Sequence, residues 1–182
     1  MTEHFRLAGS VVPFARRWHV IHELDLAPLM ADHVALRALC DALEACADQL
    51  PAPLSCDEVA RLCSGLQARI DRHEAEEDSF LLTMFARDSR DPLTSALLDH
   101  VHARHAADAA HAHDLIVALE ARDENGAVAC GETLGYMLRC FFDGCRRAMD
   151  FEELTILTLG HARLTSEARA VLVGGLCSRG EG

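Results

Sequence analysis

The sequence predicts an all-α protein: an up-down-up-down four-helix bundle with an N-terminal lead-in and a short C-terminal helix. Three observations carry that prediction. Half of the 182 residues are apolar but only 5% are aromatic, with abundant Ala and Leu and no run of alternating β-branched residues, a composition that suits helices. Four long stretches carry apolar residues at alternating steps of three and four, the period of a bundle-facing stripe. Short segments rich in Pro, Gly and Asp separate them. The expected organisation is a lead-in over 1–24, the bundle over 25–160 and a helical tail over 161–182.

Residues 1–24, with Pro13, the basic pair Arg16 and Arg17 and the only tryptophan, Trp18, have no clean period and read as a segment packed across the bundle. His19 and His22 read as surface or packing histidines. From Asp25 to Leu50 the stripe is Leu29, His33, Leu36, Cys40, Leu43, Ala47 and Leu50, with Pro28 expected in the first turn. Pro51 and Pro53 stop this first helix, and Ser55 or Asp57 is placed to cap the second. The second helix runs to about Arg87 on Leu62, Leu66, Ile70, His73, Glu77, Phe80 and Met84. After the turn RDSRDP, the third starts near Asp91 and Pro92 and continues to about Arg122, with Leu98, His102, His105, Ala109, Ala112, Ile116 and Leu119 on its stripe. The segment DENG and a loose stretch to Gly131 lead into the fourth, whose stripe is Leu134, Leu138, Phe141, Cys145, Ala148, Glu152, Ile156 and Leu159. Thr165 or Ser166 caps a short final helix.

The stripes turn polar at His33, at His73 and Glu77, at His102 and His105, and at Glu152. A carboxylate buried in a helical core costs several kcal/mol (of order 3–5) unless it is paired or coordinated, so these positions demand a partner. Counting from the turns of an antiparallel bundle, with a rise of about 1.5 Å per residue, puts all four interruptions at one height. A bound cation is the simplest partner. Imidazole and carboxylate without thiolate suit iron, manganese or zinc, and two Glu able to bridge suit a di-iron site better than structural zinc. The segments HEAEEDSFLL (73–82) and AMDFEELTIL (148–157) align without a gap, matching Glu77 to Glu152 and setting His73 against Ala148.

Other features bound the function. A formal charge of −12 disfavours non-specific nucleic-acid binding and anionic membrane surfaces. No apolar run approaches a membrane span and no basic start precedes an apolar segment, so the chain reads as soluble and cytoplasmic. The eight cysteines, Cys40, Cys46, Cys56, Cys63, Cys130, Cys140, Cys145 and Cys177, contain no CxxC and read as reduced, mostly small core residues. His100, His111 and His113 flank the third stripe and are expected on solvated faces; His161 follows the fourth helix.

The pair Asp32-His33, the motif His73-x-x-x-Glu77, the polar stretch ending in His105 with Asp108, and RRAMDFEELTIL together make the chain resemble the hemerythrin-like, or HHE cation-binding, family from Leu26 onward. The resemblance implies a non-heme iron centre that binds dioxygen or nitric oxide, or senses iron or oxidant state, with His33, His73 and His105 as nitrogen ligands and Glu77 and Glu152 as bridges. The family's fourth helix supplies a histidine four before its glutamate. Here that residue is Ala148, and His102 is the candidate replacement. The expectation is one or two irons per chain, no turnover of an organic substrate, and a monomer or homodimer. Two other readings stand beside it: a metal-poor bundle serving as a protein-interaction or regulatory module, and a thiol redox sensor in which Cys145 ligates as thiolate.

Overall fold

The computed structural model describes residues 19–50, 52, 54–85, 90–121 and 131–177. The lead-in through Trp18, Pro51, Pro53, Arg87, the DENG turn and Cys130 lie outside them. The order is α1 (Glu23–Gln49), α2 (Cys56–Phe85), α3 (Pro92–Glu120), α4 (Gly131–Gly160) and α5 (Ser166–Cys177). Helix α1 packs on α2 and α4, and α3 packs on the same two, so the four close into a ring; α5 lies against α1 and α4. The predicted bundle with a short final helix is the fold observed.

Local chemistry fixes the helix starts. Ser55, not Asp57, caps α2: its hydroxyl accepts from the Glu58 amide at 3.2 Å, and the Glu58 carboxylate accepts from the Ser55 amide at 2.9 Å, a reciprocal capping box. Asp91 accepts from the Thr94 amide at 2.8 Å, with Pro92 at the first helical position. Thr165 caps α5 by accepting from the Ala168 amide at 3.1 Å. Helix α1 starts two residues earlier than the periodicity suggests, so Pro28 lies inside it rather than in its first turn. The missing N–H leaves the Leu24 carbonyl without its helical partner, and Leu24 is 77% exposed, which lets water replace the lost bond.

The chain closes at one end of the bundle. The Ile21 amide donates to the Arg163 carbonyl and the Thr165 amide to the Ile21 carbonyl, a short bridge that ties the residue before α1 to the turn after α4. Arg163 also donates to the Met84 carbonyl at 2.8 Å, bringing the end of α2 to the same end. Two apolar clusters fill the ring. One, at the closed end, includes Leu26, Leu81, Phe85, Val101, Ile156 and Leu172; the other includes Leu36, Leu43, Leu66, Leu119, Leu138 and Met149. The polar residues of all four helices lie between them, at the single level that the turn-counting argument requires. Of the described cysteines, Cys40, Cys46, Cys63 and Cys145 are buried, and no disulfide joins any of them. No helix among the described residues is long and apolar enough to cross a membrane.

Candidate metal centre

His33, His73, His105, Glu77 and Glu152 meet in that layer, none more than 5% exposed. Glu152 is the hub. Its carboxylate lies 3.3 Å from His33 Nε2, 3.4 Å from His73 Nε2 and 3.4 Å from His105 Nε2. Glu77 faces His105 Nε2 at 3.0 Å and His73 Nε2 at 3.4 Å. Donor atoms of His33, His73, Glu77 and Glu152 all fall within 4.8 Å of one another.

The outward nitrogens of His33 and His73 each hydrogen-bond a further acid, and that of His105 lies near one without a hydrogen bond. His33 Nδ1 is 3.0 Å from Glu153, His73 Nδ1 is 2.9 Å from Asp32, and His105 Nδ1 is 3.5 Å from Asp78. Asp32 is itself held by Arg69 at 3.1 Å. A carboxylate on the far side of a ring fixes its orientation and turns the other nitrogen inward. The stripe analysis did not find Glu153 or Asp78, which sit one residue past Glu152 and Glu77, off the apolar face. Their signal was the gapless alignment of 73–82 with 148–157, which matches Asp78 to Glu153 as it matches Glu77 to Glu152.

The electrostatics are those of a cluster built for charge. Burial opposes protonation of His73 and His105, but the carboxylates around them prevail and push both up to about 10. His33 moves the same way, burial yielding to Glu152 and Glu153. Burial would raise Glu152, yet three imidazoles hold it well below the usual carboxylate range. Glu77 goes up, pushed chiefly by burial and further by the neighbouring Glu152 charge, against the pull of His105.

These residues fit a cation. His33 Nε2, Glu77 Oε1 and both Glu152 oxygens are buried with no hydrogen-bond partner, and such atoms in a core call for a ligand. They point to a common centre, and nitrogen with carboxylate is an iron-type donor set. Removing the Arg69–Asp32–His73 support has a measurable consequence: Asp32→Asn is expected to weaken cation binding about 10- to 100-fold while leaving the helical content unchanged, read by chelator competition and circular dichroism. Unaltered affinity would mean that Asp32 plays no part in orienting the ring.

Several sequence candidates stand apart. His102 is exposed and faces Asp78 at 3.3 Å, away from the shared carboxylates, so the structure does not bring it into the cluster. His161 lies in the turn after α4, its Nδ1 against the Thr158 carbonyl. His100, His111 and His113 are exposed, as expected of flanking faces. Cys145 lines a small void with Ala148, but its contact with Cys40 and its burial push the thiol far up, which disfavours a thiolate there.

The two halves of the layer are related by exchanging α1 with α3 and α2 with α4. His33 on Glu152 and Glu153 mirrors His105 on Glu77 and Asp78. The mirror fails at three linked places. Ala148 replaces His73, Arg104 stands where Asp32 would, and Gly144 stands where Arg69 would.

The family model described as hemerythrin HHE cation binding domain matches residues 25–159, most of the chain. No curated protein and no solved structure matches it.

Proposed function

The chain belongs to the hemerythrin HHE cation-binding family, and from that premise we propose that it is a non-heme iron protein that binds one cation firmly and presents an open position to dioxygen or nitric oxide. The observation that carries this reading is the convergence of His33, His73, Glu77 and Glu152. In this reading those four hold the first cation. The second position has only His105 and shares of Glu77 and Glu152, because Ala148 contributes no donor. Ferrous iron held by these residues would supply inner-sphere binding of a diatomic gas. The chain's own residues do the rest: Asp32 and Glu153 orient His73 and His33, and the apolar layers above and below keep bulk water from the centre.

The test is anaerobic reconstitution with ferrous iron, followed by iron analysis and spectra before and after nitric oxide or dioxygen. One iron per chain with a ligand-dependent absorption change is the expected result; substoichiometric iron with no spectral change would favour a metal-poor interaction module instead. Ala148→His alone is expected to leave the stoichiometry at one, since Arg104 occupies the place of the carboxylate that would orient the new ring. A rise to two irons with that single change would show that the missing imidazole was the only defect.

A further inference from the structure

Between α3 and α4 lies a cavity of about 450 Å³, within the size range of small-molecule sites. Its charged lining is Arg104 and Arg147 against Asp114, with His100 and His111 beside them. Arg147 also lies 3.8 Å from Asp143, which leaves Arg104 as the cation nearest the apolar wall. Leu115, Phe141 and Phe151 supply that wall, with the His100 ring edge-on to Phe151 at 4.6 Å.

Arg104 is placed there by the failed mirror symmetry. Its guanidinium lies across the α4 backbone at Gly144, where an added Cβ would come within 2.5 Å of Nη2. Only glycine admits that approach, and a glycine in mid-helix costs roughly 0.5–1 kcal/mol relative to alanine. Asp108 grips the Nε and Nη2 side, at 3.2 and 2.8 Å, which leaves Nη1 for another acceptor. Ala148 lines both this cavity and the small void beside His73, His105 and Asp108. A cavity with an arginine and an apolar wall therefore stands where the mirrored half of the layer has a histidine, its orienting acid and the arginine behind that acid.

We propose that the α3–α4 cavity binds a small amphipathic organic acid, an aryl or branched-chain carboxylate, with its carboxylate on Arg104 and its apolar body against Phe141 and Phe151, across Ala148 from the small void beside His73 and His105. Only the naming of the space across Ala148 as a second cation position rests on the iron reading above; the pocket itself does not. A carboxylate suits the site because Nη1, the nitrogen that Asp108 leaves, offers N–H donors of a permanently charged group. The adjoining wall distinguishes an organic acid from a bare inorganic anion.

The test uses the full chain without metal, so that failure to load iron and failure of the pocket are read separately. 4-Fluorobenzoate is titrated by fluorine NMR, with fluorobenzene as the uncharged counterpart. Saturable binding of the acid, at least about tenfold tighter than fluorobenzene, is expected. Arg104→Met should weaken it about tenfold or more. Gly144→Ala, which displaces the guanidinium without removing it and favours the helix, should weaken it several-fold while the protein stays folded. Absence of saturable binding, equal affinity for fluorobenzene, or wild-type affinity in a folded Gly144→Ala protein would each overturn the proposal.

Discussion

Glu152→Gln is expected to abolish stoichiometric cation binding and to destabilise the metal-free protein by about 3–5 kcal/mol. Both effects have one cause. Glu152 is 1% exposed and, among the described residues, is the acid whose carboxylate lies within 3.4 Å of all three imidazoles. In the metal-free protein it is the shared counter-ion of rings whose protonated form is favoured. An isosteric amide keeps the volume and loses the charge, leaving buried imidazolium groups short of compensation. With a cation present, the same amide would offer one neutral oxygen in place of a charged carboxylate. Metal analysis and denaturant unfolding, both compared with wild type, check the two halves separately. A variant that keeps its iron would displace Glu152 from the ligand set. One that keeps its metal-free stability would show that the imidazoles sit neutral in the fold.

Much of this arrangement is legible in the sequence because it obeys the helical period. His33, His73, His105 and Glu152 each interrupt an otherwise apolar stripe, and the distances from the turns place them at one level without any structure. What the period hides lies one position off the stripe. Asp78 and Glu153 follow the central glutamates directly, and they reach the layer only because the imidazoles of α1 and α3 turn their Nδ1 atoms toward them. His102 misleads for the converse reason. The buried face of α3 runs through Leu98, Val101, His105, Asp108, Ala112 and Leu115 rather than through His102, Ala109 and Ile116, so His102 meets solvent and Asp78. Pro28 misleads because a helix start is set by hydrogen bonding at His22 and Asp25, 2.9 Å apart from amide to carboxylate, rather than by apolar spacing. The substitution of Arg104 and Gly144 for Asp32 and Arg69 was in reach of the internal alignment, had it been extended backward by one turn and applied to the other helix pair.

Cation affinity is expected to rise at least about tenfold per pH unit between roughly pH 7 and 9, because binding must displace the proton held by His73. The sign follows from the same groups. His73 is pushed up to about 10, so near neutral pH the metal-free protein holds there a proton that a cation has to expel, and His33, raised in the same direction, adds to the dependence. Each such proton contributes a tenfold dependence per unit below its folded value. The fold responds in the opposite sense when no metal is present. A histidine raised from its ordinary value of 6.5 to about 10 adds stability that is complete below 6.5 and disappears as the pH climbs through 10. Glu152, held down from an ordinary 4.5, adds stability present above that value and lost as the pH falls through its folded one. The metal-free cluster is thus most favourable between about 4.5 and 6.5, and the range where its protons begin to weaken is the range where a cation replaces them. Competition with a chromophoric chelator at several pH values, with proton release followed in weak buffer, measures both the slope and the count. An affinity independent of pH across this range would mean that the histidines are neutral before metal arrives, and that the carboxylates facing them act by orientation alone.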